Sequence, residues 1–249
     1  MTTRLLALGD SAWTVEFGTD ISPKLNARVM AFANRIAQAR LDDPRFATIT
    51  DVVPTFRSLT VHFSVQNTDA DALATQLLAL AQDSEQQTIQ GKQWRLPACF
   101  DPSFAPDLSA WAEAKQIGED ALIERMLATS FRVYMIGFLP GFPYMGGLPP
   151  ELAMPRLTSP RQRVPANSIA IAGEMCAVYP WESPGGWNLI GKTPVQLFEP
   201  HHIEQPAMLA AGDIVRWYAI DKSEYEHMLS QCSNGKLTRD VFLSSGDVS

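Results

Sequence analysis

The sequence predicts an α+β protein in two parts, a small α/β sandwich followed by a β-rich barrel or sandwich. Three observations predict it. Strand and helix periodicities alternate through the first ninety-odd residues. A polar stretch, Asp83 to Gly91, then interrupts them and reads as a linker. Beyond Phe131, twelve of the 18 prolines fall between Pro140 and Pro206, and eight of the 15 glycines between Gly137 and Gly191. Helices do not persist at that density, and short strands with tight turns do. The expected domains are therefore 1–90 and 91–249.

Each element has its own reason. Ala12 to Phe17 alternates, with Trp13, Val15 and Phe17 on one face and Thr14 and Glu16 on the other, as a half-buried strand does. Ser22-Pro23 supplies an N-cap and a proline at the first helical position. Leu25, Val29, Phe32 and Ile36 then keep helical spacing through about Ala39. Strands follow at Ile49 to Val53 and Leu59 to Phe63, and a second helix from about Asp69 carries Leu73, Leu77 and Leu80 on one face. This strand-strand-helix unit, seen twice, predicts helices on one side of a sheet. Trp94 to Cys99 opens the second domain, followed by helices over Asp107–Gln116 and Glu119 to about Thr129, parted by Gly118. Short strands are expected at Phe131–Ile136, Ser168–Ala172, Ala177–Tyr179, Val195–Phe198 and Ile214–Ile220. One more helix, Lys222 to about Gln231, precedes a polar, frayed end.

Composition narrows the function. Hydrophobic residues make up 46% and charged residues 19% of 249, which excludes a disordered chain or a coiled coil. Lys+Arg 20 against Asp+Glu 27 leaves a net charge of −7, unsuited to nucleic acid or an anionic membrane. The apolar stretch before Asp10 is too short for a secretory leader, and no run approaches the roughly 20 apolar residues of a spanning helix. Cys99, Cys176 and Cys232 are odd in number and far apart, so reduced thiols are expected rather than disulfides or a zinc site. His62, His201, His202 and His227 show no metal-ligand spacing. A cytoplasmic protein without a metal is the expectation.

Four segments can carry chemistry. Gly186 to Thr193 satisfies the phosphate-loop pattern GxxxxGKT, but Pro194 follows at once and leaves no helix to face a phosphate. Lys192 can still meet an anion by another geometry. Ile136 to Pro150 holds no charge and joins prolines and glycines to Phe138, Phe142 and Tyr144, either as a rigid ligand wall or as a buried barrel corner. Pro155 to Pro165 spaces Arg156, Arg161 and Arg163 with prolines, either as preset forks for a carboxylate or phosphate or as a solvated loop. Glu182-Ser183-Pro184-Gly185-Gly186-Trp187 is a tight turn whose amides can donate to an oxyanion. Ser183 lacks the GxSxG setting of a nucleophile.

These strings resemble the allophanate hydrolase subunit 1 family, which includes the B component of the ATP-dependent 5-oxoprolinase and the sporulation kinase A inhibitor. Residues carrying the match include Val15-Glu16-Phe17-Gly18, Gly137-Phe138-Leu139-Pro140-Gly141-Phe142-Pro143-Tyr144 and Pro155-Arg156-Leu157. Further along are Glu182-Ser183-Pro184-Gly185-Gly186-Trp187, Ile190-Gly191-Lys192-Thr193-Pro194 and Gly212-Asp213. The resemblance implies a cyclophilin-like β-barrel behind the small α/β domain. It also implies a subunit of an ATP-dependent 5-oxoprolinase that opens 5-oxoproline to L-glutamate, inactive alone. Its partner would be a homologue of subunit 2 (the C component), with a lactam-utilisation protein (the A component) as a further partner. ATP would be bound by, or shared with, the partner.

Within that frame the expected substrate-binding residues are Phe142, Tyr144, Arg161, Arg163, Ser183, Gly185, Gly186 and Lys192. Other members of the family imply two different outcomes, an inhibitor that binds a histidine kinase or a subunit processing allophanate or urea. Departures from the family pattern fall at Met126-Leu127 and Phe131, where His-Ser and Tyr are usual, and at Met175-Cys176-Ala177, where Gln-Thr-Gly is usual. Asn167 replaces a glycine, the next best residue for a positive φ.

Overall fold

A computed structural model describes residues 3–82 and 91–244. Most of the polar stretch expected as a linker, residues 83–90, lies outside the described residues, as does the polar end from 245 onward. The chain divides into two compact units, Met1–Gln90 and Gly91–Ser249.

The first unit runs β1 (Arg4–Ala7), β2 (Ala12–Glu16), α1 (Pro23–Asp42), β3 (Ile49–Pro54), β4 (Ser58–Phe63) and α2 (Ala70–Gln82). Its antiparallel sheet has the order β1-β2-β4-β3. Ser22 caps α1, its side chain accepting from the Leu25 N–H at 3.2 Å, with Pro23 opening the helix. Val15 and Leu59 are register partners. With Val61 they face Val29, Phe32 and Ile36 of α1 and Leu73 and Leu77 of α2 in one core. Both helices therefore cover the same sheet face. The sandwich exists because period-2 and period-3.6 stripes meet there. The strand-strand-helix unit is complete in both halves because β1 supplies a strand absent from the sequence expectation. Three of its four residues are exposed, so it carries no alternating pattern to read.

The second unit contains β5 (Gln93–Ala98), α3 (Leu108–Lys115), α4 (Glu119–Ala128), β6 (Phe131–Ile136), β7 (Pro143–Gly146), β8 (Arg161–Val164) and β9 (Ser168–Ala172). Then come β10 (Met175–Tyr179), β11 (Ser183–Gly185), β12 (Asn188–Lys192), β13 (Ile214–Ala219) and α5 (Lys222–Ser233). Seven strands form a sheet ordered β12-β9-β10-β7-β6-β13-β5, antiparallel except for β13 with β5. The edges meet: Cys99, just past β5, exchanges backbone hydrogen bonds of 2.8 and 2.9 Å with Lys192 of β12. The sheet thus curls onto itself as a barrel, which removes its open edges.

Alternation along β9, β10 and β12 splits two cores. Ile169, Ile171, Cys176, Val178 and Ile190 join a large core with Trp111, Leu122 and Met126 of the helices. Ala170, Ala172, Ala177, Tyr179 and Leu189 face a smaller cluster around Phe142 and Trp187. These strands are buried on both faces, hence their near-continuous apolar runs.

Three expectations need correction or physical comment. Val195–Phe198 is a series of bends with one bridge from Phe198 to Ala207, not a strand. Proline brackets it at Pro194 and Pro200, and Gly141 packs directly on Phe198. Strands β7, β8, β11 and β12 form despite Pro143, Pro184 and Gly191, with register shifts at Ser183/Gly185 and Leu189/Gly191 absorbing the mismatch. The family-atypical Met126 and Phe131 are fully buried in the large core, where they act as packing groups. Among the described residues no helix is long and apolar enough to cross a membrane.

Buried Asp213 fixes the start of the barrel. Its Oδ1 accepts from the Lys92 N–H at 2.8 Å, and its Oδ2 from Trp94 Nε1 at 2.8 Å and the Ala210 N–H at 3.0 Å. An amide at this position would turn one acceptor into a donor facing another donor. Asp213→Asn should therefore cost about 2–3 kcal/mol. Urea unfolding checks it, and a loss under about 0.5 kcal/mol would contradict the assignment.

Candidate functional site

The loop leaving β6 is a tandem turn. Leu139 N–H donates to the Gly137 carbonyl at 2.8 Å across Phe138, whose φ is +68°. An i to i+2 hydrogen bond at positive φ is a γ-turn of the strained kind, and a bulky aromatic rarely occupies it. Phe142 N–H then donates to the Leu139 carbonyl at 3.0 Å around Pro140-Gly141, with Gly141 at φ +77°. That is a type II turn with its preferred residues. Gly137 N–H closes the loop on the Phe142 carbonyl at 3.1 Å. The result presents Phe138 outward, 62% exposed, and drives Phe142 inward to 1%.

Around Phe142 the rings converge. Its centroid lies 5.4 Å from Phe138, 4.9 Å from Tyr144, 5.1 Å from Tyr179 and 6.1 Å from Trp187. Tyr144 and Trp187 meet at 5.9 Å. These rings, with Arg156, Pro160, Pro184, Gly185 and Gly186, enclose a cavity of about 220 Å³. Burial pushes both phenols above their ordinary pKa, and nearby Arg156 pulls each partway back. The Trp187 backbone N–H beside the Tyr179 hydroxyl acts in the same direction as Arg156. Both phenols are neutral donors at physiological pH.

Of the residues expected from sequence, Phe142, Tyr144, Gly185 and Gly186 line this cavity. Ser183 is not among the lining residues; it is buried, its hydroxyl turned to the Pro184 carbonyl at 3.2 Å. The other three are engaged elsewhere. Arg161 donates to Asp107 at 2.6 Å, and Arg163, largely exposed, pairs with Glu182 at 2.6 Å. Lys192 lies at the barrel seam with its ammonium 5.4 Å from the Phe104 ring centre, and burial lowers its pKa. It is five residues beyond Trp187, about 16 Å along an extended strand. The Gly186–Thr193 segment is largely strand β12, with no helix after it, so it is not a phosphate loop.

Sequence reasoning left Arg156, Tyr179, Trp187, Phe138, Pro160 and Pro184 out of the site. Phe138, Arg156, Pro160, Pro184 and Trp187 sit inside strings it had singled out, so their convergence on Phe142 was the missing information. A larger depression, about 500 Å³, is lined by Arg95, Tyr218, Met228 and the Val241–Ser244 segment. Its arginine is already stacked on Tyr218 at 5.2 Å, and it gathers no constellation of polar groups.

The two glycines differ. A Cβ on Gly185 would collide with the Tyr179 hydroxyl, whereas one on Gly186 would meet Pro160 at 3.6 Å, an ordinary contact. Gly185→Ala should displace Tyr179, alter the near-ultraviolet circular dichroism and cost about 1–3 kcal/mol, while Gly186→Ala leaves both nearly unchanged. Equal behaviour of the two variants would contradict this packing.

Comparison with known proteins agrees with the architecture. The family model described as carboxyltransferase domain, subdomain C and D, matches residues 3–209. The 5-oxoprolinase B subunit of Bacillus subtilis (strain 168) is 35% identical over 242 residues, covering 91% of this chain and 96% of that protein. The protein of the same name from Haemophilus influenzae is 34% identical over 213 residues, 86% of this chain and 96% of its own. Among solved structures, TTHA0988 superposes with a TM-score of 0.71 at 31% identity over 84% of this chain, which spans 40% of that longer chain. Kluyveromyces lactis urea carboxylase shares the fold, with a TM-score of 0.78 at 20% identity over 95% of this chain and 23% of that one. The chain thus belongs to the carboxyltransferase-domain subdomain C and D family, alongside the 5-oxoprolinase B subunits.

Proposed function

We propose that this chain is a cytoplasmic subunit of an ATP-dependent 5-oxoprolinase, contributing part of the lactam site. A homologue of the C component completes that site, and an A component is a further member of the complex. What carries the reading is the 35% identity to a 5-oxoprolinase B subunit over 96% of that protein. The small aromatic cavity supports it, since its size suits a small ring rather than a nucleotide. A second protein, a putative urea carboxylase of Emericella nidulans, is 26% identical over 64% of this chain, which is weaker support for a urea substrate.

The chemistry explains the need for ATP. A lactam carbonyl is a poor electrophile, and phosphorylating its oxygen makes the carbon open to water. Water adds there, the ring C–N bond breaks with the nitrogen taking a proton, and a second water releases phosphate from the acyl phosphate to leave glutamate. Phe142 and Tyr144 would wall the ring, and amides of the Gly185–Gly186 turn would face the developing oxyanion. The Lys-Thr pair of the GxxxxGKT string is engaged elsewhere, Lys192 over Phe104 and Thr193 buried. In this reading the ATP is bound by the partner or shared with it.

The test is an ATPase assay on the co-expressed subunits. ATP hydrolysis by the pair should rise at least about tenfold with 5-oxoproline and yield glutamate, with neither event for this chain alone. A response flat across lactams and ureas, or full turnover by the isolated chain, would overturn the proposal.

A further inference from the structure

The proline-spaced ribbon carries three arginines, and the fold treats them differently. Arg161 is neutralised by Asp107 and Arg163 by Glu182, each at 2.6 Å. Arg156 is the charged side chain that lines the cavity, and among the described residues no carboxylate is ion-paired with it. Its backbone is also held from both sides. The carbonyl of Pro155 accepts from Asn188 Nδ2 at 2.9 Å, and the Leu157 N–H donates to the Gly186 carbonyl at 2.7 Å. Gly186 and Asn188 flank Trp187, so the cation is tied to the wall that it faces. No Asp or Glu lines the cavity.

We propose that Arg156 is the residue with which this cavity recognises its ligand, and that the ligand is a small ring bearing one carboxylate. This rests on the lactam reading above and names the part of the substrate that this chain selects. An unneutralised guanidinium at an aromatic box favours an anion over a neutral ring of the same size, and its planar fork matches a carboxylate with two parallel N–H···O bonds. The Phe142, Tyr144 and Trp187 rings supply apolar surface for the ring carbons. Neutral phenols add donors and no repulsion.

The experiment compares 5-oxoproline with 5-oxoprolinamide, in which a neutral amide replaces the carboxylate, on the co-expressed complex carrying wild-type, Arg156→Gln or Arg156→Lys chains. Wild type should favour the acid by about tenfold or more in kcat/KM, mostly through KM. Arg156→Gln should reduce that preference to about twofold or less, and Arg156→Lys should restore part of it. A preference unchanged in Arg156→Gln overturns the proposal, as does a lysine variant no better than the glutamine one. A wild-type complex whose ATP hydrolysis ignores 5-oxoproline overturns the 5-oxoprolinase reading instead. Calorimetric titration of that complex with pyrrole-2-carboxylate against pyrrole-2-carboxamide then decides the anion site separately. Binding of the acid alone, lost in Arg156→Gln, upholds it; no binding of the acid overturns it.

Discussion

Phe142 is the ring on which the candidate site is built. It is buried, and four other rings from separate segments meet it: Phe138 from the loop, Tyr144 from β7, Tyr179 from β10 and Trp187 from the turn before β12. Edge-to-face pairs of this kind contribute about 0.5–1.5 kcal/mol each beyond the area they bury. Their geometric effect matters more than their sum. With the ring fixed by a γ-turn and a type II turn on its N-terminal side, the other aromatics can occupy only the space around it. The cavity is what remains between them. Gly185 belongs to the same constraint, because the Tyr179 hydroxyl occupies the place a side chain there would need.

Such a site functions only if its walls do not move apart, and the barrel provides that rigidity. Closure at Cys99 and Lys192 joins the two edges of the sheet. Asp107 reinforces the join, its Oδ2 accepting from the Leu189 N–H at 2.6 Å and its Oδ1 from Arg161. Since Arg161 is the register partner of Gly185, one carboxylate braces both β12 and the β8–β11 strand pair beside the cavity. Arg161 thus serves the site by holding its frame, while Arg156 faces the space inside. A ligand entering the cavity would meet preset groups, so little ordering entropy would oppose its binding. Phe138 stands outward at the rim, 62% exposed and at a positive φ.

Much of this was legible in the residues. Ser22-Pro23 and the Leu25, Val29, Phe32, Ile36 stripe specify α1, because capping and helical period are local properties. The uncharged string from Ile136 to Pro150 offered either a rigid ligand wall or a buried barrel corner, and Phe142, buried in the small cluster while lining the cavity, belongs to both. Distinguishing the arginines was not possible. The acids that neutralise Arg161 and Arg163 lie 54 residues before the one and 19 after the other, and only tertiary folding brings them together. Lys192 joined the site on sequence as a cation of the Gly186–Thr193 string, but an extended strand carries it to the barrel seam. Strands containing Pro143, Pro184 or Gly191 escaped notice because barrel bulges tolerate residues that a propensity argument counts as breakers. Val195–Phe198 failed in the opposite sense, as apolar alternation between two prolines filled by packing rather than by pairing.

The most direct test is a crystal structure of the two-subunit complex grown with 5-oxoproline and a non-hydrolysable ATP analogue. The account predicts the lactam ring between Phe142, Tyr144 and Trp187, with its carboxylate on Arg156 and its carbonyl turned toward the nucleotide on the partner's side. A ligand seated wholly on the other polypeptide, with this cavity holding only solvent, would contradict it.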